Sequence, residues 1–309
     1  MNLISIVTAC YNEEENIEDI YKQVKNVIYE FRDYSYEHIF IDNSSRDKTV
    51  SILRKIAESD KNVKIIVNSR NFGHIRSPFY GLLQANGDAV ISICADLQDP
   101  PLLISEFIKK WEEGYKIVVG VKKISKESGF IFAFRKLYYR VLSKLSDIDL
   151  IENFTGFGLY DRGVIEILRN LNDPYPYFRG LISEIGFDVA KIEYIQPKRK
   201  RGITKNNFYT LYDMAMLGLT SHSKLPLRLA TFLGFASALL SFLAAVFYFL
   251  YKIVYWKNFS VGIAPLIIGL FFFSSVQLFF LGIIGEYIGS IHTRVLKRPL
   301  VIEKERINF

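Results

Sequence analysis

The sequence predicts an α/β fold built on a mostly parallel sheet, followed by an interfacial helix and two transmembrane helices. Three observations predict it. Short apolar runs alternate with amphipathic stretches as far as Gly120, the pattern of strands joined by helical crossovers. The run Val90-Ile91-Ser92-Ile93-Cys94 stops at Ala95-Asp96-Leu97-Gln98-Asp99-Pro100-Pro101, a buried strand releasing acidic groups at its carboxyl end, where open α/β sheets hold ligands. No charge occurs between Arg228 and Lys252 or between Lys257 and Glu286, and each gap meets the requirement of about 20 residues for a helical span.

Leu3 to Cys10 reads as the first strand. Asn12 is the candidate N-cap of the next helix, with Glu15 in capping-box spacing and Ile17, Ile20, Val24, Val27 and Ile28 on its apolar face. His38 to Ile41 is a second strand ending at Asp42-Asn43-Ser44-Ser45-Arg46-Asp47, and Val50, Leu53, Ile56 and Ala57 mark a second helix. Val63 to Val67, a turn at Arg70-Asn71-Phe72-Gly73 and a helix over Phe79 to Ala85, with Pro78 at its start, repeat the unit. After the central strand come a helix over Pro101 to Glu113, a strand over Lys116 to Gly120 and a polar loop over Lys122 to Gly129. A helix over Phe132 to Leu145, a strand over Thr155 to Asp161, a helix around Phe178 to Ile185 and a strand over Val189 to Ile195 come next. Pro197 to Lys205 is a basic loop, and Phe208, Leu211, Tyr212, Ala215, Met216 and Leu219 have the spacing of a helix lying in the membrane interface. No GxGxxG follows the first strand, which weighs against a dinucleotide cofactor.

Composition agrees with a membrane part: 309 residues, 50% hydrophobic, with a mean hydropathy of +0.15. The net charge is +7, and Lys198-Arg199-Lys200-Arg201, Lys224, Arg228, Arg294, Lys297 and Arg298 flank the open side of the hairpin. By the positive-inside rule both termini are cytoplasmic, and such a rim suits anionic lipid headgroups. Nucleic acid is excluded as a partner because the charge sits beside the spans and no nucleic-acid-binding signature accompanies it. Cys10 and Cys94 give no disulfide framework and read as small buried thiols in a reducing compartment. The expected organisation is a catalytic domain over 1–203, a juxtamembrane helix over 204–227, a two-helix hairpin over 228–290 and a basic tail over 291–309.

Ala9-Cys10-Tyr11-Asn12-Glu13-Glu14, Asp42-Asn43-Ser44-Ser45, Ser69-Arg70-Asn71-Phe72-Gly73, the acidic strand end and the two C-terminal spans together resemble the family 2 glycosyltransferases of the dolichyl-phosphate mannose synthase-like branch. The likeness extends to the bacterial polyprenyl-phosphate enzymes with a two-span anchor and covers essentially the whole chain. It implies the GT-A fold and an inverting transfer of a hexose from a nucleotide sugar, such as UDP-glucose, to undecaprenyl phosphate at the cytoplasmic face of the membrane. It implies that the Ala9 backbone, Tyr11, Glu13 and Asp42 contact the nucleotide, and that Asp96, assisted by Gln98, holds a divalent cation (Mg2+ or Mn2+) on the donor diphosphate. Arg199 and Lys205 would meet the phosphates, and Lys122 and Arg135 the acceptor phosphate.

Four positions depart from the family's pattern. Ala9 stands for a proline, Cys94 for the first acid of a DxD pair, Asn43 for a second aspartate, and Phe157 for an acid that often follows a Thr-Gly. Several bland roles stay open: Asp42 and Asp47 as turn and cap residues, Arg70 as a loop anchor, His74 as a loop histidine, and Arg199 and Lys205 as part of a membrane-facing patch. A GDP- or amino-sugar donor, a catalytically silent membrane scaffold, and assembly as a homo-oligomer also stay open.

Overall fold

A computed structural model of the chain describes residues 2–124, 150–197, 208–255 and 263–309. Apart from the C-terminal helices the fold is one eight-stranded mixed sheet flanked by helices on both faces. In chain order the elements are β1 (Asn2–Cys10), α1 (Ile17–Ile28), β2 (Tyr34–Asp42), α2 (Thr49–Ser59), β3 (Val63–Asn68), α3 (Gly73–Leu83), β4 (Ala89–Cys94), α4 (Leu103–Glu112) and β5 (Ile117–Ile124). Next come β6 (Phe154–Asp161), α5 (Arg162–Leu171), α6 (Phe178–Glu184), β7 (Val189–Ile195), α7 (Phe208–His222), α8 (Leu225–Val254), α9 (Ile263–Val295) and β8 (Glu303–Ile307).

The strand order is β7-β5-β6-β4-β1-β2-β3-β8. Strands β4, β1, β2 and β3 run parallel, as expected of apolar runs separated by helices, and their carboxyl ends line one edge of the sheet. The antiparallel β6 then separates β4 from the mutually parallel β5 and β7. Alternation along each strand divides the core between the two faces. Ile4, Ile6, Phe40, Ile91 and Ile93 pack under α1, α2 and α4, while Val7, Ile39, Ile41 and Val90 pack under α3, α5 and α6.

Several local expectations are corrected. Asn12 does not cap α1: it sits at φ +53°, and its Oδ1 accepts the Arg46 N–H at 2.7 Å. The carboxamide is spent on the neighbouring loop, so the helix starts four residues later, after Asn16. Pro78 lies inside α3 rather than at its start, because the helix already begins at Gly73. Lys122 belongs to β5 rather than to a loop, since the ladder to β7 carries that strand on to Ile124. Of the two cysteines, Cys10 is buried but Cys94 is exposed at the strand end.

Helices α8 and α9 are each long and apolar enough to cross a membrane, and their apolar side chains face outward, as at Phe232, Phe235, Leu240, Phe271 and Phe279. Helix α7 lies against α9: Tyr212 donates to Glu286 at 2.9 Å, Tyr287 donates to the Ser223 carbonyl at 2.6 Å, and Arg294 donates to Ser221 at 2.9 Å. Within the expected basic tail, residues 303–307 join the sheet. Strand β8 pairs antiparallel with β3, and Asn308 Nδ2 donates to the carbonyls of Ala57 and Val63, both at 2.9 Å. The physical reason is that β3 would otherwise leave an edge of unpaired N–H and C=O groups.

Candidate active site

The carboxyl ends of β1, β2 and β4 meet at one place, as the register shows: Cys10 lies opposite Asp42, and Ala9 opposite Cys94. Ala9 carries its half-buried backbone between them, and its carbonyl accepts the Ala95 N–H at 3.3 Å. Tyr11 and Glu13 come just after, each half-buried. Glu13 is oriented from both sides, since its N–H donates to Thr49 Oγ1 at 2.9 Å and its Oε2 accepts from Asn16 Nδ2 at 2.6 Å. Three of the expected nucleotide contacts are thus brought to one strand end.

Asp42 closes β2 with no exposed surface. Its Oδ2 accepts the Ser45 N–H at 2.9 Å and its Oδ1 accepts the Ser45 hydroxyl. Burial pushes its carboxyl up, and the Ser45 bonds pull it back. Each oxygen thus has one partner within the Ser45 turn. Asp47 is engaged in the same way, accepting from Thr49 N at 3.0 Å and from Glu14 N at 3.2 Å. Arg70 lies over the Phe72 ring at 4.1 Å.

Asn43 has work that an aspartate could not do. Its Nδ2 donates to Asn71 Oδ1 at 3.0 Å and to the Gly73 carbonyl at 3.1 Å, while its Oδ1 accepts from Phe72 N at 2.9 Å and from Asn68 Nδ2 at 3.2 Å. Holding that turn takes two donors and an acceptor on one side chain, which only an amide supplies.

At the end of β4 the environment changes. Asp96 is half-exposed, and among the described residues its one hydrogen bond is from Gln98 N at 3.2 Å. Leu97 between them takes φ +56°. Among the described residues no group of three or more His, Cys, Asp or Glu stands ready for a metal. A lone open carboxylate, two residues from an amide side chain, nevertheless suits a hard divalent ion that keeps most of its coordination sites for substrate phosphates. Lys122 is half-buried near this loop. Burial lowers its ammonium pKa, and the Asp99 and Asp96 carboxylates oppose that shift.

Two residues that the sequence reading missed complete the centre. Asp99 is 5% exposed and accepts the Tyr194 hydroxyl at 2.6 Å. Tyr194 stands on β7 directly opposite Lys122 of β5. The signal for Asp99 was present, a second acid ahead of two prolines, whereas Tyr194 had none.

Phe157 is not a missing base. Its side chain points into the core, 2% exposed, with its ring centroid 4.8 Å from that of Phe107 and 5.8 Å from that of Tyr194. A carboxylate there would be buried among aromatics. Asp161 caps α5 through Gly163 N at 2.9 Å and accepts from Trp111 Nε1 at 2.9 Å, a structural role. Arg135, Arg199 and Lys205 lie outside the described residues.

Comparison with known proteins gives one consistent picture. The family described as Glycosyl transferase family 2 matches residues 5–168. The chain is 39% identical over 302 residues to the Bacillus subtilis protein named uncharacterized glycosyltransferase YkcC, covering 96% of this chain and 92% of that one. It is 35% identical over 305 residues to the SfII prophage-derived bactoprenol glucosyl transferase of Shigella flexneri, covering 98% and 97%. Among solved structures, the mannosyltransferase PcManGT from Pyrobaculum calidifontis, in complex with GDP-Man and Mn2+, aligns over 95% of this chain and 86% of its own at 16% identity, with a TM-score of 0.49.

Proposed function

Because the chain belongs to glycosyl transferase family 2, we propose that it moves a single glucose from UDP-glucose, with inversion, onto undecaprenyl phosphate at the cytoplasmic face of the membrane. The observation that carries this reading is the end of β4, where an open Asp96 lies within electrostatic reach of the half-buried Lys122. The activity for which the Shigella relative is named and the two outward-apolar helices support the lipid acceptor. A GDP- or amino-sugar donor is the competing choice.

Asp96 and Gln98 would hold the divalent ion, which supplies charge neutralisation on the leaving diphosphate. The chain's own residues do the remaining work. The Ala9 backbone, Tyr11 and Glu13 seat the nucleotide, Asp42 shapes that wall through its turn with Ser45, and Arg199 and Lys205 bring cations to the phosphates. Lys122, with Arg135, draws the acceptor phosphate toward the sugar carbon. That phosphate is a monoester whose second pKa is about 6, so at neutral pH its oxygen is already mostly anionic and needs no protein base. The aromatic core position of Phe157 accords with this, and removes one reason for reading the chain as a silent scaffold.

β1 and β8 share one sheet on either side of the hairpin, so the catalytic part and the segment after α9 lie on one side of the membrane. The basic flanks support the cytoplasm as that side. Turnover of the purified chain with undecaprenyl phosphate and a panel of nucleotide sugars tests the function. UDP-glucose should give the highest kcat/KM, and no transfer from any donor overturns the reading. A cysteine at position 304 (Lys304→Cys) in a Cys94→Ser background should resist an impermeant reagent in intact cells, and labelling there overturns the topology.

A further inference from the structure

The turn that presents Asp96 has little of its own to hold it. Leu97 occupies the left-handed region, which is unfavourable for a side chain with a Cβ. Asp96 itself accepts only the long bond from Gln98 N among the described residues. A conformation of that kind persists when its surroundings over-determine it, so the surroundings must do the holding. Two contacts supply this. The Leu97 side chain packs against the core, and Asp99 is fixed by the 2.6 Å bond from Tyr194.

The second contact is the unusual one. In the sheet order β7-β5-β6-β4, two strands separate β4 from β7, so the bond ties the loop after β4 to the far side of the sheet. Its donor is rigid, because the Tyr194 ring is packed edge-on to Phe157 and is only 5% exposed. Its acceptor is a carboxylate with almost no water, which loses heavily if the donor is removed. Lys122 lies opposite Tyr194 in register, so one bond sets the spacing of the acidic turn and of the cation beside it.

We propose that Asp99 and Tyr194 are positioning residues, a latch that holds the Asp96-Leu97-Gln98 turn in the orientation that accepts a divalent cation. The latch rests on the proposed metal role of Asp96 and extends it to two side chains that need touch neither metal nor donor. Outer partners of this kind commonly contribute about 10- to 100-fold to metal affinity. A bond that served only folding would lower stability and leave metal affinity alone.

The experiment is a titration of the full chain in detergent with Mn2+ in the presence of UDP, following the free-ion paramagnetic resonance signal, alongside the melting temperature of metal-free protein. Tyr194→Phe keeps the ring and removes the hydroxyl. It should lower the melting temperature, because Asp99 loses its donor, and also weaken Mn2+ affinity by about tenfold or more, a loss that a bond serving only folding would not produce. Asp99→Asn keeps an oxygen that can accept the tyrosyl hydroxyl and should stay within a few-fold of wild type, whereas Asp99→Leu should match Tyr194→Phe. Wild-type Mn2+ affinity in Tyr194→Phe overturns the latch alone, as does an Asp99→Asn loss equal to that of Asp99→Leu. Absence of Mn2+ binding by the wild-type chain overturns the metal role of Asp96 and the latch with it.

Discussion

Asp42 and Asp96 end two strands of the same sheet, with β1 between them, yet their carboxylates live differently. Asp42 is sealed, with both oxygens taken by Ser45 and the Cys10 thiol 3.9 Å away. Asp96 is open and held by one long bond. The residues downstream of each acid decide the outcome. A serine three residues on folds back over Asp42 to form a turn, whereas Leu97 at positive φ and the buried Asp99 carry the chain away from Asp96. An acid at a strand end is therefore a candidate ligand only when its downstream neighbours leave it unused.

The hardest test of this contrast is Asp96→Asn. Turnover should fall at least about a hundredfold, the scale of losing a principal electrostatic group, with the melting temperature unchanged. Near wild-type turnover would put the two strand ends on an equal footing and break the contrast.

A second difference lies within the strands, since β2 carries a buried histidine and β4 carries none. His38 is 1% exposed, stacks on Phe40 with ring centroids 4.0 Å apart, and has Nε2 2.8 Å from Thr8 Oγ1. Burial pushes its pKa down to about 3. As pH falls below the ordinary value of 6.5, the unfolded chain takes up a proton that the folded chain refuses. The stability is thus whole above that value and is lost toward pH 3, at up to about 1.4 kcal/mol per pH unit. Unfolding of His38→Gln followed against pH should show a flatter acid limb; an unchanged limb would assign the acid sensitivity elsewhere.

Asp42→Ala should cost about 1–3 kcal/mol in stability by leaving Ser45 without its acceptor, with kcat changed only a few-fold. A hundredfold activity loss at preserved stability would instead make Asp42 a direct donor ligand and sharpen the contrast in the opposite sense. Smallest of all, Arg54→Ala on α2, just beyond the Asp42 turn, breaks the exposed pair with Glu305 and should shift stability by no more than about 0.5 kcal/mol. A larger shift, read by denaturant unfolding, would mean that this side is held by surface charge as well as by buried turns.

The parallel strands were legible because each is an apolar run bounded by turn residues, and the acidic end of β4 was legible because acids rarely follow such a run without a use. The N-cap was misplaced because Asn12 serves a loop that is distant in sequence, and a local pattern carries no trace of that contact. Lys122 was set in a loop because its polarity hid a strand whose partner, β7, lies more than sixty residues on. Phe157 was weighed as a departure in the catalytic machinery because facing is invisible without the sheet. Tyr194 was unreadable for the same reason, as its meaning comes from Asp99, three strands across.

The pairing of β8 with β3 has a temporal side. Residues 303–307 follow both apolar helices in the chain and leave the ribosome after them, so β3 stays an open edge until the hairpin has emerged. Completion of the sheet thereby reports that the anchor has been made, and a chain stalled before its second helix would expose a strand that invites aggregation or proteolysis. Pulse-labelled chains should become protease-resistant only after residue 307 emerges. Resistance acquired before α9 is made would show that the sheet matures without waiting for the membrane.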